Sequence, residues 1–301
     1  MEEAPQRYRV HDGAQLAYRI LNPASSSLPL VLVHGLSGIM SDWEPLASTL
    51  AKSRPVLIFD HRGIGESSFA RAEGDKITIE SMARDLLELL SSLPWQSLAI
   101  CGFSMGGTVV QQLLLLPYHP TAPVVLPCRV THVILTATMA STVVSEGAHV
   151  LLQQRRARTE AERREGARRM VEVSFDSRWV NDPANAAKVN RWAAQFAIPR
   201  SSSKSRPTMD IDLGDLHSQI PRDMQVLVIH GTLDSIVPYA CSEEILDKIP
   251  WARRVRIGRA SGEIEHSEFG HQWYGYFDGE RWREAFDVFL GSQEGQRSAR
   301  L

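Results

Sequence analysis

Cysteine is scarce. Cys101, Cys128 and Cys241 are the only three in 301 residues, an odd and sparse set that argues against a disulfide framework and for a reducing compartment. Charge of one sign is missing as well. Lys+Arg number 33 against 35 Asp+Glu, a formal net charge of −2, so neither nucleic acid nor an anionic membrane surface is expected as a partner. No apolar run approaches the ~20 residues of a bilayer span, and no membrane span is expected. Internal repeats, metal-ligand clusters and a nucleotide-binding glycine fingerprint are absent, so neither a metal nor an organic cofactor is expected. Met1-Glu-Glu-Ala-Pro-Gln is acidic and polar, unlike a secretory leader. The length suffices for one large domain with an insertion.

What is present begins at Gly102-Phe103-Ser104-Met105-Gly106, which fits G-x-S-x-G. An apolar run, Ser97–Cys101, precedes it and a helix-like run, Thr108–Leu116, follows. Strand, sharp turn and helix are the context that lets a serine hydroxyl stand clear of the backbone. Small residues at 102, 106 and 107 allow strand and helix to approach closely. Upstream, Leu30–Val33 reads as a buried strand ending in His34-Gly35. The N–H groups of Leu36 and Met105 are the candidate oxyanion donors, and His34 reads as a structural residue beneath the loop. Downstream, Val226–Ile229 runs into a loop carrying Asp234, which would orient the imidazole of His271 so that His271 deprotonates Ser104. A turn-capping aspartate is the plainer reading of Asp234. His266 competes with His271 for the role of base.

Along the chain, Tyr8–Val10 and Gln15–Ile20 read as a strand pair turning at Asp12-Gly13. A short helix is expected over Asp42–Ala51, a strand over Pro55–Phe59, and an amphipathic helix over Ile79–Leu93 with Met82, Leu86, Leu87, Leu89 and Leu90 as its core stripe. Strands over Thr131–Ala137 and Arg253–Ile257 and a helix over Gly279–Leu290 complete the alternation. The pattern gives an α/β class, a doubly wound and mostly parallel sheet, with chemistry at the carboxyl ends of the strands. The region from Met139 to Thr208 breaks the alternation and reads as a small helical cap insertion. Its arginine run, Arg155–Arg169, reads as a solvated helix face with local ion pairs. Its aromatics line a pocket or fix the cap to the core, and Ser201–Pro207 reads as a return linker.

These motifs, together with Phe59-Asp-His-Arg-Gly63-Ile-Gly65-Glu-Ser67, resemble those of the α/β-hydrolase fold family, and the likeness extends from about Tyr8 to Leu290. The Ser, Asp, His chain order and the helix trailing His271 are those of that family. The stretch between Ile257 and His271 is longer and more acidic than in most members and reads as a local insertion. The resemblance implies a core over 1–138 and 209–291, a cap over 139–208 and a tail over 292–301. It implies a serine carboxylesterase or enol-lactonase-like enzyme using Ser104, His271 and Asp234, with Leu36 and Met105 at the oxyanion. The small to medium ester, lactone or thioester would contact Ser37, Met139, Trp179, Trp192, Phe196 and Ile236. An acyltransferase, a carbon–carbon bond hydrolase with the same triad, and a non-catalytic ligand-binding protein are the alternatives. Aspartate stands at the nucleophile position in epoxide hydrolases and dehalogenases, where this chain has Ser104. The terminal Ala299-Arg300-Leu301 resembles a peroxisomal import tripeptide, so an import receptor is an expected partner and the location is peroxisomal or cytoplasmic.

Overall fold

The computed structural model describes residues 4–70, 77–143, 145–148, 159–200, 211, 213 and 216–291. The return linker at 201–207, positions 155–158 of the arginine run, and the tail with Ala299, Arg300 and Leu301 lie outside the described residues.

Strand β1 (Gln6–Arg9) and strand β2 (Gln15–Leu21) form an antiparallel hairpin. Its turn contains Gly13 at φ 98°, a left-handed conformation that glycine adopts without steric cost. Strands β3 (Leu30–Val33), β4 (Val56–Phe59), β5 (Ser97–Phe103), β6 (Arg129–Thr136), β7 (Gln225–Ile229) and β8 (Arg253–Arg254) join them in one eight-stranded sheet of order β1-β2-β4-β3-β5-β6-β7-β8. From β4 to β8 every pairing is parallel, while β2 meets β4 antiparallel.

Successive side chains of the central strands enter different cores, because a strand points alternate residues to opposite faces. Val31, Leu57, Ile100 and Val228 join one apolar cluster, and Leu32, Ile58, Cys101 and Ile229 the other. Helix α2 (Ile79–Ser91) and helix α3 (Met105–Leu115) cover the first face. Helix α1 (Leu46–Leu50) and helix α8 (Gly279–Gly291) cover the second. Thr78 starts α2 by accepting the Ser81 N–H at 3.1 Å, an N-cap that satisfies one of the helix's orphan donors.

Helices α4 (Glu160–Ser174), α5 (Ser177–Asn181) and α6 (Ala186–Phe196) stand between β6 and β7, and α7 (Ala240–Lys248) follows β7. On α4 the exposed pairs Arg164–Glu160 and Arg169–Glu165 are spaced i, i+4. Such pairs contribute only a few tenths of a kcal/mol each.

Two expected elements differ. Over 42–51 the chain forms a 3-10 turn, Met40–Trp43, and then α1. Pro45, which has no N–H to donate, separates them. The expected strand over 253–257 divides. Arg253–Arg254 pairs with β7 at the sheet edge, while β9 (Arg256–Ile257) pairs in parallel with β10 (Glu263–Ile264) in a separate two-stranded ribbon. Of that ribbon, β10 lies within the stretch read as an insertion.

Candidate active site

Strand β5 ends at Phe103 and α3 begins at Met105, so Ser104 alone makes the turn. It does so at φ 55°, ψ −127°, a conformation costly for any residue with a side chain. Glycine elsewhere in the turn is required by contact. A Cβ on Gly102 would lie 2.5 Å from the Gly107 Cα, and one on Gly106 would lie 2.2 Å from the Val33 carbonyl oxygen. At Gly35 an added Cβ would meet the Ser104 Cβ at 2.9 Å. The absent side chain at 35 keeps the face of Ser104 open.

Asp234 and His271 arrive from the loops after β7 and β10. Asp234 is pinned on one oxygen, where Oδ1 accepts the N–H groups of Ile236 (2.9 Å) and Val237 (2.8 Å). His271 Nδ1 donates to its other oxygen, Oδ2, at 2.9 Å. That bond assigns the proton to Nδ1 and leaves Nε2 as an acceptor, to which the Ser104 hydroxyl donates at 3.0 Å. Burial alone would raise the Asp234 carboxyl, but His271 and His230, by charge and hydrogen bond, bring it down to about 2. His230 donates from Nε2 to the Val237 carbonyl at 2.9 Å, and the same nitrogen lies 3.3 Å from Asp234 Oδ2.

Met105 opens α3, so its N–H has no carbonyl one turn earlier to receive it. Neither it nor the Leu36 N–H donates to any described residue. His34 packs beneath the loop, where a Cβ on Gly38 would fall 1.6 Å from its Nδ1. Burial lowers its pKa to about 4, against the opposing pull of Asp42.

A cavity of about 200 Å3 opens onto Ser104 and His271. Leu36 and Met105 line it, and so do Ser37, Met139, Phe196 and Ile236 of the expected substrate contacts. Trp179 and Trp192 do not. Trp192 is 2% exposed and packs against Tyr274 and Phe196, with ring centroids at 5.6 and 5.5 Å. Trp179 stacks on Phe175 at 4.2 Å, and Phe175 stacks in turn on Tyr276. The indoles of α5 and α6 thus pack on aromatic rings of the core, because a large flat ring buries more area between two packed elements than at the rim of a small cavity. Trp179 also borders a second, shallow hollow of about 260 Å3, together with His266. His266 is exposed and packs on Phe277, leaving His271 as the imidazole bonded to Ser104.

Several cavity residues escaped the sequence reading. Val143, Met170 and Val237 extend its apolar wall, and Ser174, Gln272, Asp42 and Arg200 supply polar atoms. Asp42 and Arg200 form an ion pair across 158 positions, a separation that no local pattern marks. His230 carried a fainter signal, four residues before Asp234 at the end of a strand. Among the described residues, no group of His, Cys, Asp and Glu is arranged to hold a metal.

Residues 29–261 match the family described as alpha/beta hydrolase fold. The chain is 32% identical over 171 residues to a proline iminopeptidase of Pestalotiopsis fici, covering 55% of this chain and 56% of that protein. It is 28% identical over 131 residues to a proline iminopeptidase of Lactobacillus crispatus, 43% and 42% of the respective lengths. The chain thus spans about half the length of these curated relatives. Among solved structures, an esterase from Rhodococcus superposes with a TM-score of 0.72 at 19% identity, covering 96% of this chain and 99% of the other. A hydrolase from Pseudomonas aeruginosa superposes at 0.67 with 24% identity, covering 95% and 98%.

Proposed function

This chain belongs to the alpha/beta hydrolase fold family, and from that membership and the geometry at Ser104 we propose that it is a serine hydrolase cleaving a small to medium ester, lactone or thioester. The observation that carries the reading is the continuous relay from Asp234 Oδ2 through His271 to Ser104 Oγ, with links of 2.9 and 3.0 Å. Ser104 Oγ attacks the substrate carbonyl as its proton passes to His271 Nε2. Asp234 holds the imidazole in the required tautomer and stabilises the imidazolium that forms. The oxyanion is received by the N–H groups of Leu36 and Met105, the latter at the positive end of α3. His271 then protonates the leaving group, and water, activated by the same imidazole, releases the acid from the acyl-enzyme.

The cavity bounds the substrate. A volume of about 200 Å3 with a wall of Met105, Met139, Val143, Met170, Ile236 and Val237 suits a short to medium apolar acyl arm. In this reading α4–α6 form a cap, with Met170, Ser174 and Phe196 closing the site from above. The peptidase relatives raise an aminopeptidase alternative, which would need a free carboxylate to receive a substrate ammonium. Among the described cavity residues the one carboxylate is Asp42, already paired with Arg200, so the ester reading is better supported.

A panel of p-nitrophenyl esters and lactones of graded acyl length tests the proposal. Activity should peak at short to medium chains and fall to background in Ser104→Ala. Full esterase activity in Ser104→Ala would remove Ser104 from the mechanism.

A further inference from the structure

Arg200 follows α6 and sends its guanidinium into the wall of the Ser104 cavity. All four of its terminal N–H donors are already committed. Nη1 donates to Asp42 Oδ2 and to the Ser37 carbonyl (3.3 Å), while Nη2 donates to Asp42 Oδ1 (3.0 Å) and to the Gln195 carbonyl (2.9 Å). A guanidinium carries five N–H donors, so only Nε remains, and the group has little left to offer a substrate. Its partners matter more. Asp42 accepts the Ile39 N–H at 3.0 Å, and Gln195 Nε2 donates to Asp42 Oδ1 at 2.8 Å. Both ends of the segment from Ser37 to Ile39 are therefore tied to the inserted helices through one ion pair. Arg200 is tied back in turn, since its own carbonyl accepts the Gly65 N–H at 2.7 Å.

The segment held in this way contains strain. Ser37 sits at φ 58°, in the left-handed region that a residue with a side chain occupies only when its surroundings over-determine it. Internally the turn is closed by a Gly38 N–H bond to the Gly35 carbonyl at 3.1 Å. Leu36 lies between Gly35, which abuts Ser104, and Ser37, which Arg200 grips. The Leu36 N–H shares a peptide plane with the Gly35 carbonyl, which accepts the Gly38 N–H, and that N–H shares a plane with the Ser37 carbonyl that Arg200 grips, so the grip is passed to the Leu36 N–H through these two planes.

We propose that Arg200 is a positioning residue: by gripping the Ser37 carbonyl and Asp42 it holds the Gly35–Gly38 turn so that the Leu36 N–H is aimed at the oxyanion. The inference rests on the serine hydrolase reading above. It makes the oxyanion site dependent on the segment that follows α6. Removing an oxyanion donor outright costs about 10²–10³ in kcat, and a donor left present but misaimed should cost less.

The test compares Arg200→Lys with a paired Asp42→Asn/Arg200→Gln variant, which leaves no buried charge unpartnered and so protects the fold. Kinetics on p-nitrophenyl butyrate are set against those on its thionoester, whose sulfur is a poorer hydrogen-bond acceptor. The expected result is a fall in kcat of about 10- to 100-fold on the oxygen ester, KM within about threefold, and a clear drop in the oxygen-to-sulfur rate ratio. Arg200→Lys should lie between wild type and the paired variant. A rise in KM at unchanged kcat would make Arg200 a substrate contact and overturn the proposal. So would equal losses on both esters with a lowered melting temperature, the mark of a purely structural residue, or kcat within twofold of wild type. A wild-type protein with no Ser104-dependent activity would instead sink the hydrolase reading itself.

Discussion

At the residue scale, the site depends on a few atoms held where they are costly to hold. Ser104 occupies a left-handed backbone conformation and thereby turns its oxygen away from the strand it ends. Asp234 is a buried carboxylate that would be expensive without partners. It has two backbone donors on one oxygen and two histidines at the other. The backbone contacts to Oδ1 fix the rotamer, and Oδ2 fixes the imidazole. Asp234→Asn would turn an amide toward His271 Nδ1, favouring the tautomer whose Nε2 carries the proton and cannot accept from Ser104. The expected outcome is a fall in kcat of about 10³–10⁴ with KM little changed and the circular dichroism spectrum preserved. Steady-state kinetics on the best ester of the panel check it, and a loss under tenfold would contradict the assigned role.

At the scale of elements, legibility in the sequence followed how local the determining forces are. The strand–turn–helix around Ser104 could be read because the glycines at 102, 106 and 107 fall within six consecutive residues, although the contacts that require glycine at 106 and 107 are with Val33 and Thr138. Helix α2 was legible through its stripe, with Met82, Leu86, Leu89 and Leu90 buried and Thr78 capping. The 253–257 segment was misread because its residues suit a strand on propensity alone, whereas its division is decided by which neighbour each pair of residues finds. The two tryptophans were misassigned for a related reason. An indole on α5 or α6 meets the cavity or the core according to the helix's rotation, and here the rings pack against Phe175, Tyr274 and Tyr276. Arg200 and Asp42 gave no signal, since their pairing exists only after the chain has folded.

At the scale of the whole molecule, buried titratable groups make stability depend on pH. His34, His61 and His132 are each lowered to about 4, in every case foremost by burial. An unfolded chain takes up these protons from 6.5 downward, so the stability they confer is complete above pH 6.5 and is lost as pH falls toward 4. Each contributes a slope of up to about 1.4 kcal/mol per pH unit. Asp60, raised to about 6, and Asp85, also raised, act in the opposite sense, again foremost through burial. With three groups against two, the urea midpoint should be lower at pH 5 than at pH 7, and a midpoint that rose on acidification would contradict this balance. The same fold gathers Ser104 and Asp234 from the loops after β5 and β7 of the large sheet, and His271 from the loop after β10 of the small ribbon. A fluorophosphonate probe followed by peptide mapping tests that convergence most directly. The account predicts a single adduct on Ser104 in the wild-type protein and none in His271→Ala; absence of the Ser104 adduct, or labelling unchanged without His271, would contradict it.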